Sequence, residues 1–147
     1  MSILALKNVS KSFGSLKVTD DVSFEVPQGQ ALGIIGPNGA GKSTLFNLIT
    51  GNILSDAGSI HFAGADVTRV PAMRRCLDGV GRSFQIPQPF EKLTVFENLV
   101  VAGTFGRDKS EAEVTEICAD VLERTGMIAK ANAPAGTLSL LERKRLE

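Results

Sequence analysis

Residues 36–44 read GPNGAGKST. Gly36, Gly39 and Gly41 crowd this stretch, and Lys42, Ser43 and Thr44 close it. Glycine lacks a Cβ, so all three positions are expected to take positive φ and let the backbone approach a ligand closely. Successive N–H groups then point inward and form an anion nest. ALGII (Ala31–Ile35) precedes the stretch as a continuous apolar run, the pattern of a strand buried on both faces. After it, Leu45, Leu48 and Ile49 recur at helical spacing, and Gly51 marks a stop. The pattern G-x-x-x-x-G-K-[ST] between a strand and a helix is a phosphate cradle. The helix starting near Lys42 aims its positive end at the bound anion. Lys42 supplies a mobile charge for β- and γ-phosphates, and the Ser43 hydroxyl can ligate Mg²⁺. The phosphate-binding set is therefore Gly36, Asn38, Gly39, Ala40, Gly41, Lys42, Ser43 and Thr44. Chance supplies the bare pattern in roughly one chain of this size in a few hundred, so a ligand-free turn is the weaker reading.

The 147 residues suit one ordinary domain, and 43% apolar content fits a packed core rather than disorder. Sixteen basic residues balance sixteen acidic ones, which removes any bulk electrostatic reason to expect nucleic acid as a partner. Cys76 and Cys118 lack metal spacing and read as two buried free thiols in a reducing compartment. His61, the single histidine, reads as a strand residue in GSIHFAG (58–64). No apolar run reaches the ~18 residues of a membrane span, and the first residues do not read as a signal peptide.

Along the chain, VSFEV (22–26) alternates with Val22, Phe24 and Val26 on one face, and Pro27–Gln30 is a turn. GSIHFAG is a further strand, and Val80–Phe84 another strand candidate. Beyond these the chain turns helical. Thr94 with Glu97, Ser110 with Glu113 and Ser139 with Glu142 are three capping boxes. Phe96, Leu99 and Val100 form one apolar stripe; Val114, Ile117, Cys118, Val121 and Leu122 form another, running up to Gly126.

A cradle alone allows kinases, GTPases, recombinases and ABC ATPases. VSKSFG (9–14) before the cradle and GRSFQIPQPFEKLTVFENL (81–99) after it resemble the ABC transporter ATPase family. That resemblance implies an α/β P-loop NTPase of the ABC ATPase type: an N-terminal antiparallel β-subdomain, a P-loop core and the start of a helical subdomain, incomplete here. Residues 1–92 would be the β-subdomain and core, and 93–147 the partial helical subdomain. It implies ATP and Mg²⁺ as ligands. Phe13 would stack on adenine, with Val18 touching the same ring; on the residues alone Phe13 also reads as plain core. Gln85 would sit near Mg²⁺ and the γ-phosphate, and with Lys42 it makes the catalytic pair of this half. Read without the family, Gln85 is a strand-end amide.

KSTLFNLITG (42–51) and FEKLTVFENLVVAG (90–103) look most like the ATPase subunits of branched-chain amino acid importers. The implied partners are transmembrane permease subunits, a second ATP-binding subunit in a head-to-tail dimer and, indirectly, a periplasmic or extracellular substrate-binding protein, with no nucleic acid. The implied place is the cytoplasmic face of the cell membrane. The alternatives are a non-transport ABC-type ATPase or another P-loop enzyme such as a small kinase, for which RVPAMRRC (69–76) is a thin lid candidate. LSLLERKRLE (138–147) lies where the family signature L-S-G-G-Q opens a helix. Ser139 matches the residue that touches the γ-phosphate held by the other subunit, whereas Leu140 and Leu141 stand where the glycines would. The family's Mg²⁺-holding carboxylate, its water-orienting glutamate and its switch histidine have no counterpart in these residues. The chain is expected to be a subunit cut inside its helical subdomain, able to bind ATP but not to turn it over.

Overall fold

The computed structural model describes residues 2–107 and 109–147. They form two compact units, one up to Val80 and one from Gly81.

In the first unit, β1 (Ser2–Phe13) and β2 (Leu16–Pro27) make a long antiparallel hairpin. β3 (Ala57–Phe62) pairs antiparallel with the other edge of β1, and β4 (Ala65–Asp66) closes the order β2-β1-β3-β4. In β2 the expected alternation holds: Val22, Phe24 and Val26 are half-buried while Ser23 and Glu25 are exposed. His61 lies in β3 as expected, paired with Ala5. The Pro27–Gln30 turn is closed by the Gln30 N–H donating to the Pro27 carbonyl at 3.1 Å.

The sheet packs its apolar face on α1 (Lys42–Thr50). Leu6, Val9, Leu45, Leu48, Ile60 and Val67 form one buried cluster. Each fully buried leucine here is worth about 1.5–3 kcal/mol over an exposed one, and this burial holds so short a helix together. Gly51 ends α1 in the left-handed region at φ 80°, where a Cβ would be strained. A short helix not expected from the sequence, α2 (Ala72–Leu77), follows β4.

Two expected strands are absent. Ala31–Ile35 lies outside any ladder, with Leu32 exposed and Ile35 98% exposed; only Ile34 leans on the core. A strand exists through its neighbours, and no described strand runs beside this segment to take up its N–H and C=O groups. Val80–Phe84 is likewise irregular, for the same reason.

In the second unit, α3 (Val95–Arg107) and α4 (Glu111–Arg124) lie side by side, and α5 (Leu140–Leu146) closes the described chain. All three expected capping boxes form. The backbone N–H groups of Thr94, Ser110 and Ser139 donate to the carboxylates of Glu97, Glu113 and Glu142 at 2.7, 2.9 and 2.9 Å. Residues 91–96 run against 131–136 through bonds such as Val95 N–H to the Ala133 carbonyl at 3.0 Å. Val95, Leu122, Met127, Ala135 and Leu138 are the core of this unit. The α4 stripe faces inward at Val114, Cys118 and Leu122, but Ile117 stays exposed. Of the two cysteines only Cys118 is buried; Cys76, on short α2, is exposed, contrary to expectation.

Candidate functional site

The loop 36–41 carries α1 on its C-terminal end, and its shape follows from its glycines. Gly39 and Gly41 take φ of 84° and 81°, the left-handed values the motif requires. Gly36 does not take positive φ, contrary to expectation. There the constraint is space, since a Cβ would meet the Ala40 Cβ at 3.2 Å. Gly41 is doubly constrained: a Cβ would stand 2.6 Å from the Val18 carbonyl oxygen and 3.2 Å from its Cγ1. Strand β2 therefore passes directly against the loop, and Val18 belongs to the cradle wall.

Gly41 is the N-cap of α1, and no side chain caps the helix. The first N–H groups of a helix have no intrahelical acceptor, so this end is left polar and open toward an anion. Lys42 folds back over the loop: its Nζ donates to the carbonyls of Gly36 at 2.6 Å and Pro37 at 2.7 Å. The loop closes on itself through Ala40 N–H to the Pro37 carbonyl at 3.3 Å. Ser43 is exposed on the first turn of α1, and Thr44 is half-buried beside it. A cationic loop with left-handed glycines and an uncapped helix end fits a phosphate group, and the exposed Ser43 hydroxyl fits as one oxygen ligand of an accompanying Mg²⁺.

Beside the cradle is a recess of about 130 Å³ whose walls include Val18, Thr19, Asp20, Gly41 and Lys42. It is smaller than the ~300–1,000 Å³ of ligand pockets, so it can hold part of a nucleotide but not the whole. Phe13 is not one of its walls. Phe13 sits at the end of the β1–β2 hairpin, paired with Leu16, and is 50% exposed, which rules out the plain-core reading. The Lys11 ammonium lies 5.6 Å from its ring centroid, within cation–π range, while donating to Asp56 at 2.7 Å. That bond, with the Ser12 N–H, lowers the Asp56 carboxyl below its ordinary pKa.

The remaining candidates lie in the second unit. Gln85 is exposed and in irregular chain, so the strand-end reading fails. Its neighbour Phe84 is gripped by α5: Lys144 donates to the Phe84 carbonyl, and the Phe84 N–H donates to the Glu147 carboxylate. The Arg82 guanidinium covers the Phe84 ring at 4.7 Å. Ser139 is the N-cap of α5, and its hydroxyl donates to Glu142 at 2.9 Å. Arg143 ties down the approach to Ser139, donating to the carbonyls of Leu138 at 3.1 Å and Gly136 at 2.8 Å, and to Glu91 at 3.0 Å. These grips were not legible beforehand, because many use backbone atoms and several join residues far apart in sequence.

The family model described as ABC transporter matches residues 19–147. The chain belongs to the ABC transporter family. Among its relatives is a probable branched-chain amino acid transport ATP-binding protein, LivG, of Methanocaldococcus jannaschii. It is 45% identical over 101 residues, which are 69% of this ABC chain and 39% of that protein. The lipopolysaccharide export system ATP-binding protein LptB of Haemophilus influenzae is 35% identical over 147 residues, all of this chain and 61% of that one. A solved ADP conformation of an ATP-binding cassette of an ABC transporter superposes with a TM-score of 0.85 at 35% identity. It covers 99% of this chain and 62% of its own. The ABC chain thus spans about two fifths to three fifths of the length of these relatives. The fold is part of an ABC ATPase cassette, and the resemblance to branched-chain amino acid transport ATP-binding proteins holds. Among the described residues, no helix is long and apolar enough to cross a membrane.

Proposed function

We propose that the chain binds ATP at the 36–44 cradle, as part of an ATP-binding subunit that couples ATP hydrolysis to the uptake of branched-chain amino acids. The observation that carries the reading is the cradle: Gly39 and Gly41 left-handed, the helix end uncapped, and Lys42 folded over the loop. Backbone N–H groups from Asn38 to Thr44 would hold the phosphates, with Gly36 and Ala40 shaping the loop. Phe13 would stack on the base and Val18 would lie against it. Mg²⁺, when bound with nucleotide, offsets charge on the β- and γ-phosphates; Ser43 would hold it, together with Gln85 by the family match. Ser139 would serve the nucleotide of a second subunit. The division between core and helical parts at Lys92 and Leu93 belongs to the same proposal.

The partners of the whole assembly would be permease subunits, a second ATP-binding subunit and a substrate-binding protein, at the cytoplasmic face of the membrane. The name of the LivG relative, a branched-chain amino acid transport ATP-binding protein, supports that class of transported substrate. One observation favours a second reading, export: the lipopolysaccharide export relative aligns along all 147 residues.

Two measurements test the reading. A fluorescent ATP analogue titrated into wild type and Lys42→Ala should show a loss worth roughly 1.5–3 kcal/mol, the scale of charge-assisted bonds; equal affinities would overturn it. Steady-state phosphate release from the 147-residue chain should stay at the Lys42→Ala background, because the family's Mg²⁺-holding carboxylate, water-orienting glutamate and switch histidine are not among its residues. Removing even one transition-state donor commonly costs about 10²–10³ in rate. Lys42-dependent turnover on the order of 1–10 s⁻¹ would contradict the second expectation.

A further inference from the structure

Arg75 is buried to 1% exposure, and its guanidinium donates to backbone carbonyls. Its Nη1 donates to Leu48 and Ile49, both at 2.8 Å, in the last turn of α1. Its Nε donates to Val70 at 2.8 Å, and Nη2 reaches Thr68 at 3.2 Å. The last carbonyls of a helix have no intrahelical partner and form its negative end, so a cation is the fitting cap there. Burial lowers the pKa of this arginine from its ordinary value, partly offset by the Asp66 charge, and such a desolvated charge persists only where it is well hydrogen-bonded.

The clamp joins two bodies. One is α1, whose other end is the cradle. The other is the 68–70 segment, anchored to the sheet through the Ile60 N–H donating to the Thr68 hydroxyl at 2.9 Å. Gly51, where α1 ends, is shaped to admit the clamp, since a Cβ there would stand 2.8 Å from the Arg75 Nε. A short helix fixed to the sheet at its rear cannot pivot or slide at its front. The geometry points to Arg75 as a positioning residue for nucleotide binding: it locks the rear of α1 to the sheet so that the cradle at the front keeps its anion-binding shape. Lysine cannot replace it, because one ammonium has three donors on a single atom and cannot span four carbonyls as a planar fork does. This inference rests on the proposed nucleotide site.

The test measures affinity for a fluorescent ATP analogue and, separately, the melting temperature without ligand, for wild type, Arg75→Lys, Arg75→Ala and Val9→Ala. Val9→Ala loosens the same core at β1 and controls for lost stability. Arg75→Lys should bind roughly two- to thirtyfold more weakly than wild type, and more weakly than Val9→Ala when compared at equal distance below their melting temperatures. Millimolar guanidinium, but not the same concentration of sodium, should restore binding to Arg75→Ala. Should Arg75→Ala fail to fold, Arg75→Lys decides alone. An Arg75→Lys chain that binds like wild type, or whose weakening matches that of Val9→Ala, overturns the inference while leaving the nucleotide site intact. Equal binding by wild type and Lys42→Ala overturns the nucleotide site and, with it, this inference.

Discussion

The Lys42 ammonium lies 2.6 Å from the carbonyl oxygen of Gly36, so the first residue of α1 holds the first residue of the loop. The same ammonium also holds Pro37, and an arriving phosphate must compete with two carbonyls for one cation. Lys42→Met should therefore do two things: weaken nucleotide binding, and free the empty loop. Hydrogen exchange at Asn38 and Gly39 is expected to quicken in the ligand-free variant. Unchanged exchange there would mean the fold-back does not restrain the loop.

Gly39 and Gly41 share a left-handed backbone but not a neighbourhood. A Cβ at Gly39 meets nothing within 4 Å, whereas at Gly41 it strikes the Val18 carbonyl. Gly39→Ala should cost only the conformational penalty, about 1–2 kcal/mol. Gly41→Ala should cost clearly more and also push β2 away from the cradle. Urea unfolding midpoints order the two; equal shifts would contradict the close approach of Val18.

Phe13 is half exposed at a hairpin end, so Phe13→Ala should lower stability by less than the ~1.5–3 kcal/mol of a fully buried side chain. Its larger effect is expected on ligand choice, with affinity for ATP falling and affinity for tripolyphosphate held. Parallel titrations decide this, and an equal loss for both ligands would remove Phe13 from the base.

Lys130, then the Ser139 N–H and the Ser139 hydroxyl, hold the Glu142 carboxyl down to about 2. The folded-state pKa is lowered, so the contribution to stability is complete above the ordinary carboxylate range near ~4.3 and is lost as pH falls toward 2. Between pH 5 and pH 2.5 the melting temperature of wild type should converge on that of Glu142→Gln. The carboxylate is half-buried and still reached by solvent, so added salt should narrow the gap at pH 5. A gap that persists unchanged at pH 2.5 would assign the difference to something other than this carboxylate.

What was legible in the sequence was local. Each capping box pairs residues three apart, and each formed at the residues named. The Gly51 stop and the β2 alternation are also short-range, and both are present. Misreadings came where structure depends on distant partners. ALGII has every property of a buried strand except a neighbouring strand, and a run of letters does not reveal whether one is there. Gly36 has a motif glycine's identity but serves contact with Ala40 rather than a special φ. Arg75 was read only as part of RVPAMRRC, a thin lid candidate, because the carbonyl it caps at Leu48 lies 27 residues upstream. For the candidate site, the left-handed turns at Gly39 and Gly41 and the helix start at Lys42 were legible, since they lie in one contiguous stretch; phosphate binding there stays a proposal. The roles of Gln85 and Ser139 came from family resemblance and stay proposals.

The unlike burial of the two cysteines gives the molecule a chemical address. Cys118 is enclosed, and burial pushes its thiol above the ordinary value, which keeps it from the reactive thiolate form at neutral pH. Cys76 is open to solvent on the residue following Arg75. A maleimide dye at pH 7 should therefore add once per native chain, at Cys76, and mass spectrometry of the adduct counts it. Such a dye stands beside the rear of α1, while the proposed nucleotide site is at the front. Its emission can then reveal whether filling one end of that helix is felt at the other, with no mutation introduced.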